Sequence, residues 1–200
     1  PFDRIAADLV GVPVVDARPG PSTGVRFVHE GGSATHNGQG TMIAIESVVM
    51  QRNLGPNRFC GGQPVVTDES RPNTYAPNPD WPACKVLVER EYQRMLGASK
   101  LIWVPTGVIE DRGTFRGPLG THIRVREFAG VDIPHAGVYT MFGTNGHPDE
   151  FLPFVSRDTV VLAQTKRSKS PVRTAADALL RWLDEQNHQR LRGAYDILSR

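Results

Sequence analysis

Apolar and polar positions along this chain follow two periods, one helical and one alternating. Phe2, Ile5, Ala6, Leu9 and Val10 fall at helical spacing, with Asp3 and Asp8 off that face and Gly11 ending the pattern. Residues 12–15 and 25–29 read as short strands around a Pro/Gly loop, and Thr41–Ile45 is a further strand after the polar turn 36–40. Residues 53–82 are rich in Pro, Asn and Gly and predict a long irregular excursion. Asp80 is placed to cap a helix with Val86, Val88, Tyr92, Met95 and Leu96 at apolar positions and Gly97 as its stop. Lys100–Val104 reads as a buried strand with Trp103 in the core, followed by a Gly-rich loop at 109–120. Short strand candidates follow within 122–141 and at 159–163, and helices at 175–183 and 187–198.

Strand, strand, helix, strand, recurring along the chain, predicts an α/β fold of modest units repeated about a centre. A doubly wound parallel sheet fits the same order. Gly38-Gln-Gly40-Thr-Met lacks the third glycine and the following helix of a dinucleotide fingerprint, so no nucleotide site is expected there.

One stretch, 142–154, stands out for chemistry. His147 and Asp149 flank Pro148, which fixes its own φ and pushes His147 out of the helical region. An extended backbone here aims the imidazole and the carboxylate into one space. Asn145-Gly146 reads as a turn before them, and Phe151, Phe154 and Val155 as an apolar anchor after them.

Composition narrows the classes. The net charge of +2 comes with no long Lys/Arg run, so no nucleic-acid partner is expected; the cluster Lys166-Arg167-Ser168-Lys169 reads as a solvated loop. No stretch reaches the ~20 apolar residues of a membrane span, so no membrane partner is expected either. Two cysteines, Cys60 and Cys84, are too few for a disulfide framework or a Cys-based metal site. No targeting signal is visible at the start, which reads as the middle of a longer chain, and compartment is left open.

Four segments together resemble the agmatine deiminase and bacterial (Porphyromonas-type) peptidyl-arginine deiminase family. Glu30-Gly-Gly-Ser-Ala-Thr-His-Asn-Gly-Gln-Gly-Thr41 is similar to its Glu-Gly-Gly strand and following Gly-x-Gly-Thr turn. Ser99-Lys-Leu-Ile-Trp-Val-Pro-Thr-Gly107 is similar to its strand ending in Trp-Leu-x-x-Gly. Thr144-Asn-Gly-His-Pro-Asp-Glu-Phe151 matches its Gly-His-x-Asp box, and residues 187–198 resemble the helix that follows the box.

The resemblance implies a pentein-type α/β propeller, five-bladed in the family, of which residues 1–200 would supply about three blades as a single domain truncated at both ends. It implies hydrolysis of a guanidino group to a ureido group and ammonia through a thiouronium on cysteine, without metal or cofactor. The partner would be a small molecule or peptide bearing a guanidinium. Asp149 would read the guanidinium nitrogens bidentately. His147 would protonate the departing ammonia and then take a proton from water. Glu30 would hydrogen-bond and orient His147. Asp111 and Asn145 are further candidate substrate contacts, Asn145 standing where many agmatine deiminases have Asp.

The family's His-Cys nucleophile motif and its N-terminal guanidinium-binding carboxylate are both missing from residues 1–200, and neither Cys60 nor Cys84 has the nucleophile's context. His36 and His122 read as solvated loop residues. Agmatine, arginine and peptidyl-arginine all remain open, with Glu150-Phe151 resembling the peptidyl-arginine branch. Two rival readings fit the same residues. One is a guanidinium-binding pentein module without turnover. The other is a non-haem Fe(II) site built from His147, Asp149 and His188.

Overall fold

The computed structural model describes residues 2–65, 78–108, 122–125, 131–134, 146–166, 171–173 and 175–200. Its centre is β2 (Thr41–Ile45), paired antiparallel with β1 (Ala34–His36) and parallel with β3 (Lys100–Val104) in a three-stranded sheet ordered β1-β2-β3. Parallel neighbours need a crossover connection. Here it contains α2 (Glu46–Asn53) and α3 (Trp81–Leu96). A second sheet pairs β4 (His122–Val125) with β5 (Val131–Pro134), antiparallel. α1 (Phe2–Val10) precedes the sheet, and α4 (Ala175–Leu198) follows it. The fold is mixed α/β with a small sheet.

Each face of β2 serves a different core, because successive strand residues point to opposite sides. Met42 and Ala44 join Phe27, Val49, Met50, Val88 and Tyr92. Ile43 and Ile45 join Val48, Val104, Phe151, Leu152, Leu191 and Ala194. A strand buried on both faces reads as a continuous apolar run, which Met-Ile-Ala-Ile is. The second core is the one that seats the His147 segment, through Phe151 and Leu152.

Gly97 closes α3 in the left-handed conformation, φ 67°, with its N–H bonded to the Gln93 carbonyl at 3.0 Å. Several expectations need correction. Residues 12–15 form no strand; Pro13 lacks an N–H, and Val12, Val14 and Val15 are exposed. Residues 25–29 contribute only a bridge between Arg26 and Pro19, and 159–163 only a bridge between Val160 and Phe154. Val155 faces solvent, leaving Phe151, Leu152 and Phe154 as the anchor. The two helices expected at 175–183 and 187–198 are one. Asp80 makes no side-chain cap; its carboxylate instead accepts from the Gln63 N–H at 2.8 Å. Trp103 is only half-buried, its indole N–H donating to Glu89 at 2.7 Å beneath the Lys85 ammonium. Cys60 and Cys84 are joined in a disulfide that ties the turn region after α2 to the first turn of α3. Among the described residues no helix is long and apolar enough to cross a membrane.

Candidate active site

Glu30 sits at the entrance of a 3-10 turn, Gly31–Ser33, with extended backbone at φ −96° and ψ 134°. Ser33 grips it from ahead: its N–H and hydroxyl both donate to the Glu30 carbonyl, at 2.9 and 2.7 Å. Asn53 grips the chain from behind. Its fully buried amide accepts from the Val28 N–H at 2.9 Å and donates to the Val28 carbonyl at 2.9 Å. Two backbone clamps, one on each side, fix where the Glu30 side chain starts.

His147 is extended, φ −61° and ψ 137°, as the following proline dictates. The extension ends there. Pro148–Glu150 is a second 3-10 turn, with Leu152 N–H bonded to the Pro148 carbonyl at 2.6 Å. The expected common direction of His147 and Asp149 is reached by that turn rather than by an extended chain. Both side chains converge on Gly32. A Cβ built on Gly32 would lie 2.1 Å from His147 Nδ1, and 2.9 and 3.0 Å from the two Asp149 carboxylate oxygens. A Cβ on Gly31 would meet nothing within 4 Å. The second glycine of Glu-Gly-Gly is therefore the one that makes room for the site.

The other face of the imidazole meets Glu30, with His147 Nε2 and Glu30 Oε2 3.1 Å apart. His147 is the more enclosed partner, its side chain 13% exposed against 30% for Glu30. Asp149 is exposed. The second Glu30 oxygen accepts a hydrogen bond from Arg52 Nε, on the last turn of α2. Burial pushes the Glu30 carboxyl up, but the hydrogen bonds and charges of Arg52 and His147 outweigh it and hold the carboxyl below its ordinary value. Glu30 is thus an ionised, doubly anchored carboxylate.

The remaining segments pack behind this group. Gly107 and Gly146 touch backbone to backbone: a Cβ on Gly107 would lie 2.2 Å from the Gly146 carbonyl oxygen. Arg190 of α4 donates from Nη1 to the Gly107 carbonyl at 2.7 Å. Asn37, in the turn between β1 and β2, closes that turn by accepting from the Gln39 and Thr41 N–H groups, and donates to the Arg157 carbonyl at 2.5 Å. The four segments singled out in the sequence meet around one centre.

Asp111 and Asn145 lie outside the described residues, as do the whole 109–120 loop and the basic cluster from Arg167 onward. His36 is exposed on β1, inside the sheet rather than in a loop. His188 lies on α4; among the described residues no group of three or more His, Cys, Asp or Glu could hold a metal ion, so it does not complete a three-ligand set with His147 and Asp149. Sequence reasoning missed Arg52, because it missed α2. It also missed the Cys60–Cys84 pairing, for which a separation of 24 residues carries no signal.

No family model matches the sequence. Among solved structures the chain is similar to an X-ray structure of a provisionally assigned agmatine deiminase, at 20% identity and a TM-score of 0.47, over 98% of this chain and 33% of that one. It is also similar to C. jejuni agmatine deiminase, at 14% identity and a TM-score of 0.37, over 82% of this chain and 31% of that one. A Cys-to-Ser variant of the C. jejuni enzyme with substrate bound gives 15% identity and a TM-score of 0.39, over 84% and 32%. The chain spans about a third of the length of each.

Proposed function

We propose that residues 1–200 form part of a guanidino-group deiminase of the pentein type, contributing about three α/β blades and the acid–base half of its active site. The observation that carries the reading is the convergence of Glu30, His147 and Asp149 on Gly32. A guanidinium is a planar cation with paired N–H donors. An exposed carboxylate beside an enclosed imidazole suits its recognition and its protonation chemistry.

In this reading Asp149 pairs with two guanidinium nitrogens and holds the central carbon. A cysteine thiolate adds to that carbon, giving a tetrahedral adduct. His147 donates a proton to one nitrogen, which leaves as ammonia, and a thiouronium remains. Water then attacks the thiouronium carbon and gives its proton to His147. Collapse expels the thiolate and sheds the adduct's hydroxyl proton to solvent, leaving the ureido product. The sum, from the guanidinium cation, is one water consumed and one ammonia and one proton released, with no redox change. Glu30 keeps Nε2 engaged, so that proton transfer runs through the ring's other side. The two cysteines of this chain are bonded to each other, so the thiolate in this scheme comes from outside residues 1–200.

The test is ammonia and ureido-product release by the full-length protein carrying these residues, with agmatine, arginine and an arginine peptide as substrates. His147→Ala and Asp149→Asn are compared with the unaltered protein. General acid–base groups contribute on the order of 10²–10⁴ in rate, so turnover should fall to background in His147→Ala. Folded, unaltered protein that releases no ammonia from any of the three substrates overturns the reading, and leaves a guanidinium-binding module in its place.

A further inference from the structure

Glu30 divides its two oxygens between two partners, His147 on one and Arg52 on the other. The Arg52 contact is built into the backbone. Arg52 closes α2, and its neighbour Asn53 bonds both Val28 backbone groups and the Val49 carbonyl. That clamp sets the register of the 25–30 segment against α2 and brings Glu30 opposite Arg52. The pair is partly shielded, Arg52 35% and Glu30 30% exposed at the side chain.

We propose that Arg52 is a positioning residue of this site, acting on the chemistry only through Glu30. The inference rests on the deiminase reading. A glutamate reaching across a turn has three side-chain torsions, and one bond to an imidazole does not fix them. Holding Oε1 leaves Oε2 a single direction, toward His147. The guanidinium does this better than an ammonium, since its Nε–H lies in a rigid plane while Lys offers a mobile point charge. The groups facing the Glu30 carboxylate are Arg52 from α2 and His147 from the second 3-10 turn; His29, one residue before it, senses its charge.

The experiment uses the full-length protein, with Arg52→Met and Arg52→Lys compared for kinetics and for the titration of Glu30. Glu30 is followed by 13C NMR of labelled glutamate carboxyls, its signal assigned by its loss in Glu30→Gln. In Arg52→Met, kcat should fall on the order of tenfold to a hundredfold, the scale of a small misplacement at a reacting group. KM should stay nearly unchanged, because Arg52 does not touch substrate. The Glu30 midpoint should rise, since burial remains after the guanidinium is gone. Arg52→Lys should recover part of kcat, and should still show a deficit if the Met variant does not fold. Folded Arg52 variants with unaltered kcat and an unmoved Glu30 midpoint overturn the proposal. A protein inactive on all three guanidino substrates that still shows the midpoint shift overturns the deiminase reading and leaves the Arg52–Glu30 coupling standing.

Discussion

The α-carbon of Gly32 packs directly against the imidazole of His147, with 2.1 Å between His147 Nδ1 and the point where a Cβ would begin. Nothing about the φ of Gly32 demands glycine; the requirement is space. Gly32→Ala should therefore displace the His147 ring and the Asp149 carboxylate. On the deiminase reading proposed above, the expected loss in turnover is on the order of a hundredfold, while unfolding free energy falls by only about 1–2 kcal/mol. Gly31→Ala is the control, since its added methyl meets nothing within 4 Å. Equal effects of the two substitutions on activity would refute this reading of the turn.

Gly107 and Gly146 make the corresponding contact behind the site, but between backbones. A Cβ on either glycine would come within 2.4 Å of the other's backbone atoms, and Gly146 adds a φ of 88°. Neither backbone can swing aside as a side chain can. Alanine at either position should cost about 1–3 kcal/mol through overpacking, with Gly146→Ala the worse of the two because left-handed backbone adds strain. Chemical denaturation of both variants checks the order.

These contacts show which parts of the fold were legible beforehand. β2, β3, α1 and the Gly97 stop were readable because each carries a local signal: an unbroken apolar run, a 3.6-residue period or a forced left-handed residue. α2 was not. Ser47, Val48, Val49 and Met50 are all buried, so the helix lies between the two cores and shows no polar stripe. Its β-branched Val-Val pair adds no helical signal either. Missing α2 hid Arg52, and with it the second anchor of Glu30. His147 and Asp149 stood out as candidates through Pro148 and the box around it, but their meeting point, Gly32, lies 115 positions before His147, a separation no local rule spans. The Asp80 cap failed for a tertiary reason as well: the Gln63 N–H takes its carboxylate.

The Cys60–Cys84 disulfide closes a loop with a sequence separation of 24. A closure of that length is worth about 3 kcal/mol, mostly through the unfolded chain. Replacing both cysteines by serine should lower stability by about that amount and leave turnover per folded molecule unchanged. Thiol titration under denaturing, non-reducing conditions should find neither Cys60 nor Cys84 reactive. Loss of turnover in the folded double variant would instead make one of these sulfurs part of the chemistry.

Acid sensitivity should come in part from Glu91, which is buried on α3. The Arg94 guanidinium beside it holds its carboxyl below the ordinary range, against an upward push from burial, and the Arg18 N–H donates to it at 2.7 Å. Glu30 is lowered as well, by Arg52 and His147 acting against burial. A carboxyl whose folded value lies below its unfolded one contributes stability above the unfolded value, and that contribution is lost as pH falls through the folded value. Stability should therefore fall as pH drops below the ordinary glutamate range. Glu91→Gln should be less stable than the unaltered protein at neutral pH and should lose less on acidification. Parallel pH profiles of the thermal midpoint for the two proteins would remove Glu91 from this account.

Asn53 couples fold and site most directly. It is fully buried and makes three side-chain hydrogen bonds, two to the Val28 backbone and one to the Val49 carbonyl at 3.0 Å. Asn53→Ala would remove the amide and leave the Val28 N–H and carbonyl without these partners. Unpaired polar groups of this kind cost about 1–3 kcal/mol each, so a total loss of about 2–4 kcal/mol is expected once partial hydration is allowed for. Asn53→Asp keeps the acceptor for the Val28 N–H but loses both donors, and buries a carboxyl beside two carbonyls. It should be at least as damaging despite its similar shape. Both variants also release the segment that carries Glu30, so kcat should fall even at temperatures where the protein stays folded. A variant that loses stability while keeping full kcat would show that the Val28 clamp is not needed for Glu30, which the two Ser33 bonds to its carbonyl at 2.9 and 2.7 Å and the Arg52 contact to its carboxylate then hold in place.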